Sequence, residues 1–252
     1  MLVTTLALLS CLSGINAHSW VEQMYVIKDG KYTGNPGYMR GYNPRGPSFT
    51  DSLNQNLVPA LSSGRLRISD ADPMCKSTQQ TSNQTSGYPK LNASPGDMVA
   101  LRYLENGHVT LPQNQIGKPG SGGTVMIYAT SQPKQNEKLT DVLQWTTNGT
   151  GGDKRGQLLT VQNFDDGRCY QINSSPMSTQ RQQEFPNKPA GQPSAPNEEM
   201  WCETDVQLPS NISTNSDLTL YWAWQWNTAS GADPGIPNGK DEWYTSCMDV
   251  NI

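Results

Sequence analysis

Apolar positions along the chain fall into short runs, several alternating with polar positions, and each run is bounded by residues that favour turns. Alternation at period two places one set of side chains on one face of a strand, so these runs predict strands. They span residues 21–27, 64–68, 97–104, 123–130, 158–163, 202–208, 218–226 and 244–252. The run at 97–104 follows the turn Ser94-Pro95-Gly96, and the run at 123–130 follows a glycine-rich turn. Strands repeated at short spacing predict an all-β fold, an immunoglobulin- or fibronectin-like β-sandwich with long loops. The long loops are expected at 33–63, rich in Gly, Pro, Asn and Tyr, and at 173–197, rich in Gln, Pro and Ser. Loops of that length are usually functional or flexible. Trp222, Trp224 and Trp226 share one strand face by their spacing, and core packing is their expected use.

Residues 1–17 read as a signal peptide. An apolar run at 2–12 is followed by Ser13-Gly14-Ile15-Asn16-Ala17, a small and polar cleavage region with the cut after Ala17. The run is too short to span a bilayer, and no later stretch is apolar enough to do so. Residues 18–252 are then expected as a single secreted domain, with no membrane contact and a monomeric state. Loss of Cys11 with the leader leaves Cys75, Cys169, Cys202 and Cys247, an even number that suits two disulfides in an oxidising compartment. Sequons at Asn83, Asn92, Asn148, Asn173 and Asn211 add an expectation of N-glycosylation, poorest at Asn92 because Pro95 follows its Ser94. The 252 residues are 34% hydrophobic and 16% charged, with 23 Gly and 18 Pro, a composition of turns rather than long helices. A net charge of −4 without a basic cluster argues against nucleic acid as a partner.

Histidine changes the picture. The chain has only 2, and His18 stands immediately after the expected cut. A histidine at a free N-terminus offers its α-amine and its Nδ1 together, and His108 would supply a third nitrogen. Three nitrogens in a plane suit Cu(II) better than tetrahedral zinc. An α-amine, with an ordinary pKa of about 8, is readily deprotonated by a metal. The bland alternatives are an exposed terminal residue for His18 and a loop histidine for His108.

Three segments carry a family resemblance. The first is the mature N-terminal His18. The second runs from Cys75 through Ser94-Pro95-Gly96-Asp97-Met98-Val99-Ala100-Leu101 to Asn106-Gly107-His108-Val109. The third is Glu242-Trp243-Tyr244-Thr245-Ser246-Cys247-Met248-Asp249-Val250-Asn251-Ile252. In their order they resemble the copper-dependent lytic polysaccharide monooxygenases. The resemblance implies copper as cofactor, held by His18 and His108 with Tyr244 as the axial group. It implies Glu242 beside the open copper face, where several family members carry Gln. It also implies the pairing Cys75 with Cys247, which leaves Cys169 for Cys202.

Residues two apart on a strand share a face, so Glu242 and Tyr244 would point together at the metal while Trp243 packs into the sandwich. The competing roles are a core aromatic for Tyr244 and a solvated acid for Glu242. Gln225 points away from the tryptophan face. Tyr32, Tyr38 and Tyr42 would supply sugar contacts on a flat face. Asp165-Asp166 and Glu198-Glu199 read as solvated charge rather than paired hydrolytic carboxylates. The implied activity is oxidative cleavage of glycosidic bonds in chitin, cellulose or hemicellulose, with an external electron donor. The alternative is a copper-binding or copper-delivery protein with the same histidines and no cleavage.

Overall fold

The computed structural model describes residues 18–189 and 199–252. The expected leader at 1–17, with Cys11 and the cut after Ala17, lies outside them, as do residues 190–198 of the second long segment, Glu198 included. Among the described residues ten strands form: β1 Gln23–Lys28, β2 Lys31–Gly37, β3 Leu57–Val58, β4 Leu91–Asn92, β5 Met98–Tyr103, β6 Thr124–Thr130, β7 Gln157–Asn163, β8 Cys202–Gln207, β9 Asp217–Gln225 and β10 Trp243–Asn251. One sheet runs β2-β1-β5-β8. The other runs β3-β10-β9-β6-β7, with β4 added in parallel to the end of β10. The fold is a β-sandwich, as the alternation predicts.

Burial explains the pairing. Leu218, Leu220, Trp222 and Trp224 of β9 face the first sheet, with Val125, Ile127, Tyr244, Met248 and Val250 beside them. From the other side come Met24, Val26, Val99, Leu101, Tyr103 and Val206. The intervening residues Tyr221 and Ala223 point outward, yet are buried too. They pack in a second cluster with Val58, Met74, Tyr128, Leu139, Val142, Trp145 and Trp243. Trp243 thus lies on the outer face of its sheet and not in the sandwich: Tyr244 takes the inward position, so its neighbour must point out. Both expected disulfides form. Cys75–Cys247 pins the outer cluster to β10, and Cys169–Cys202 ties a loop to β8. Cross-linking residues 172 apart removes chain entropy worth on the order of 4–5 kcal/mol from the unfolded state.

Three expectations are corrected. Residues 64–68 are a loop, not a strand, because Arg65 and Arg67 are committed to Asp72 and Asp241. The segment 33–63 begins as the edge strand β2, a polar strand with one neighbour and therefore no apolar face to read. The segment 173–197 contains helix α1, Pro176–Glu184, whose start is fixed by Ser175 Oγ accepting from Ser178 N at 3.1 Å and by proline in the first turn.

A buried ion pair joins the first loop to the last strand. Arg40 donates to both carboxylate oxygens of Asp249 at 2.9 and 2.6 Å, and Thr219 Oγ1 donates to Asp249 Oδ1 at 2.8 Å. Both charged side chains are buried. Asp249→Ala, which strands the guanidinium, should lower unfolding free energy by about 3–5 kcal/mol in urea denaturation, and the double variant Arg40→Met, Asp249→Leu should cost less than that.

Candidate metal centre

The site lies at one end of the sandwich, where β5, β6 and β9 meet the loops that carry His18 and His108. Segment 18–22 is stitched alongside the end of β5. Glu22 N donates to Arg102 O at 2.8 Å and Ser19 Oγ to Leu104 O at 2.9 Å. Val21 N donates to Ser246 Oγ at 3.1 Å, and Asn106 Nδ2 donates to His18 O at 2.5 Å. His18 is fixed by these contacts rather than trailing from the domain.

His108 is delivered by a tight turn. Asn106 and Gly107 both have positive φ, 49° and 79°, and His108 N donates to Glu105 O at 2.8 Å. Asn-Gly suits two successive left-handed positions, the pattern of a type I′ turn. The buried Glu105 carboxylate then holds the following residues. It accepts from Val109 N at 2.8 Å, from the Thr110 hydroxyl, and from Gln171 N at 2.6 Å. Gln115 closes the other side, its Nε2 3.0 Å from His108 Nδ1 and 3.0 Å from Gly107 O.

The backbone nitrogen of His18 donates to His108 Nε2 at 3.3 Å, and the two imidazole planes stand at 89° with centroids 6.3 Å apart. Two nitrogens this close could be ligands of one metal ion. The Nε2 of His18 is 3.0 Å from Asp51 Oδ2, so the outer edge of the ring is taken by a carboxylate. Burial pushes the His108 imidazole down to about 3, opposed only partly by Gln115, so the ring is neutral near pH 7, the state a metal ligand needs. The donor set is nitrogen from two histidines, which fits copper and not calcium or magnesium. Among the described residues the other cluster of metal-binding side chains is Asp166 with Cys169 and Cys202, whose sulfurs are joined in a disulfide.

Glu242 and Tyr244 form a second pair beside this one. Tyr244 hydroxyl donates to Glu242 Oε1 at 2.7 Å, while Lys118 and Lys240 each donate to Oε2 at 2.8 Å. Burial works against the Glu242 charge, but the two ammonium groups more than offset it and hold the carboxyl below its usual range. Burial and the adjoining carboxylate keep the Tyr244 phenol well above its own. Trp224 lies between the pairs, 5.3 Å from the His108 ring and 4.9 Å from the Tyr244 ring. Lys118 sits 4.0 Å above the Trp226 ring, which stands 4.5 Å from His108. A cavity of about 300 Å³ opens here, and its lining mixes the polar Gln115, Lys118 and Lys240 with the aliphatic Leu57, Leu61 and Ile116.

The structure thus brings His18 to His108 and Glu242 to Tyr244. The loop tyrosines expected as sugar contacts are largely engaged inside the protein. Tyr42 is buried, donating to Glu22, and Tyr38 packs against Tyr42 and Tyr88. Tyr32 stacks on Tyr25 and donates to Glu203. Exposed side chains at the cavity are instead aliphatic, Leu61 and Ile116. Asp165 and Asp166 are not solvated charge either: Asp165 takes both terminal nitrogens of Arg181, and Asp166 accepts from three backbone amides. Glu199 is buried, and burial raises its carboxyl to about 7. Asp51, Glu105, Gln115 and Lys118 are site residues that the sequence pattern did not single out.

The sequence profile of a domain of unknown function, DUF7492, matches residues 15–252. The chain belongs to the DUF7492 family. No curated protein matches it. Among solved structures the DUF7492 chain is similar to CvAA9A, at 13% identity and a TM-score of 0.37, with 93% of this chain and 78% of that one covered. It is similar to a cellulose-active polysaccharide monooxygenase from M. thermophila, at 12% identity and 0.35, covering 93% and 77%. It is also similar to the polysaccharide monooxygenase CBM33, at 12% identity and 0.31, covering 77% and 91%.

Glu105 is the group on which the His108 turn depends. Glu105→Ala should leave several buried donors without an acceptor and cost about 3 kcal/mol in urea denaturation. Glu105→Gln, which keeps one acceptor oxygen, should recover part of that loss.

Proposed function

We propose that the protein is a secreted copper-dependent monooxygenase that oxidatively cleaves a polysaccharide. The observation that carries this reading is the 3.3 Å approach of the His18 nitrogen to His108 Nε2, with the far side of the His18 ring held by Asp51. In the full chain that nitrogen is an amide. Removal of residues 1–17 would turn it into an amine, a far better donor to copper. Two disulfides support export to an oxidising compartment. Among the described residues no helix is long and apolar enough to cross a membrane.

Copper, when bound, supplies one-electron chemistry toward oxygen or peroxide, with electrons from an external donor. The chain's own groups do the rest. His18 offers its terminal nitrogen and Nδ1, and neutral His108 offers Nε2. Tyr244 packs against Trp224 in its protonated form, its hydroxyl donating to Glu242 Oε1. Glu242 is an ionised acceptor already serving three donors, so the groups with N–H to give toward the cavity are Lys118 and Lys240. Leu61 and Ile116 present exposed aliphatic surface at the cavity. One observation favours the copper-carrier alternative: Tyr42 is buried and the half-buried Tyr38 packs against Tyr42 and Tyr88, which leaves little of either ring for a sugar chain.

The secreted protein, its N-terminus verified as His18, should bind one Cu(II) with a nitrogen-rich tetragonal signal in electron paramagnetic resonance. His108→Ala should lose most of that affinity. Incubation with chitin, cellulose and xylan plus a reductant should release oxidised oligosaccharides from at least one, read by mass spectrometry. Tyr244→Phe should leave copper affinity nearly unchanged, and Glu242→Ala should lower turnover far more than affinity. Absence of turnover on all three glycans with copper affinity intact would replace the enzyme reading by the carrier reading.

Glycans are proposed on the sequons that the fold leaves open. Asn148 and Asn211 are exposed, and Asn211 lines a groove near the opposite end of the sandwich. Asn173 is half-buried, and its Nδ2 donates to Thr110 Oγ1 at 2.8 Å and Gln171 O at 3.1 Å. A glycan there would consume one of those two N–H groups beside the Glu105 network. Glycopeptide mapping of the secreted protein should find Asn148 and Asn211 occupied and Asn173 bare.

A further inference from the structure

His18 Nε2 and Asp51 Oδ2 lie 3.0 Å apart, and the carboxylate is not there by chance of a mobile side chain. Asp51 opens a short 3-10 turn, Asp51–Leu53, and its carbonyl accepts from Asn54 N at 3.1 Å and Gln55 N at 2.8 Å. The buried Asn54 locks the loop to Asn43 in both directions, Asn43 N to Asn54 Oδ1 and Asn54 Nδ2 to Asn43 O, each at 2.9 Å. Lys76 reaches the same loop through the carbonyls of Ser52 and Gln55. The backbone from which Asp51 projects is therefore held at several points, and the carboxylate faces the one ring nitrogen that a chelate through the His18 backbone cannot use.

We propose that Asp51 is the positioning residue of the metal centre. It accepts the Nε2 proton of His18 and so selects the tautomer in which Nδ1 is the basic nitrogen. An imidazole with two nitrogens has two neutral forms, and only one presents a lone pair on the side of the α-nitrogen. A carboxylate on the remote N–H also makes the ligating nitrogen a stronger donor, which favours Cu(II) over Cu(I). The consequence for copper rests on the function proposed above. The choice of tautomer does not, because it is set in the metal-free chain.

The test uses the secreted protein, wild type and two variants. With only two histidines, long-range proton–nitrogen correlation of the rings assigns each tautomer without ambiguity. It is recorded metal-free at pH 8, above the usual imidazole range of about 6.5. His18 should carry its proton on Nε2 in wild type and in Asp51→Asn, whose amide oxygen still accepts. In Asp51→Ala it should shift toward a mixture. Copper affinity should fall about 10–100-fold in Asp51→Ala, and less in Asp51→Asn. The reduction potential should rise with loss of the charge, by about 59 mV for each tenfold loss confined to Cu(II). Loss of loop packing alone would not move the tautomer. An unchanged His18 tautomer in Asp51→Ala, with unchanged potential, overturns the proposal. A wild-type protein that binds no copper overturns the proposed function instead, and the tautomer result then still decides the role of Asp51.

Discussion

Trp224 is the side chain on which both halves of the site rest. Its indole N–H donates to Gly122 O at 2.6 Å, and its ring stacks on Phe164 at 4.0 Å. The same ring meets His108 on one side and Tyr244 on another, with Trp226 at 5.4 Å along the strand. Because β9 is buried on both faces, Trp224 cannot turn away to relieve a misfit. Gly123 opens β6 against it: a Cβ there would meet Gln225 O at 2.3 Å, so the close approach of the two strands depends on glycine. The relative placement of the histidine pair and the tyrosine pair is thus a property of core packing, not of the loops that carry the histidines.

The sandwich was legible because its strands have an apolar face. Strands β5, β6, β8, β9 and β10 fall within a residue or so of their alternating runs. Strand β2 was not, since an edge strand in water needs no apolar alternation, and helix α1 was not, since its start depends on a serine cap within a Gln-rich stretch. In the site, His18 and His108 stood out because histidine is rare and one follows a cleavage region. Asp51 and Gln115 had no such signal. Each touches a histidine, but each sits on its own loop, and nothing periodic links residue 51 to residue 18. Lys118 was hidden for another reason: a lysine in a Gly/Pro loop reads as solvated charge until its partner is known.

Buried carboxylates recur throughout the molecule, and their partners are of several kinds. Asp249 has an arginine, Glu105 a set of backbone amides, and Glu242 two lysines and a phenol. An ionised acid in the interior is costly unless its acceptors are filled, so each of these fixes the segments that donate to it. This is how a chain poor in apolar residues holds long loops in single conformations around its sandwich.

The stitching of segment 18–22 has a consequence for degradation. An exopeptidase must draw several residues of extended chain into its active site. Ser19, Trp20, Val21 and Glu22 are all buried, and their contacts reach β5, the Arg102–Leu104 backbone and Ser246 on β10. An exopeptidase arriving from the N-terminal side would have to pull this buried segment out of the sandwich before cutting within it.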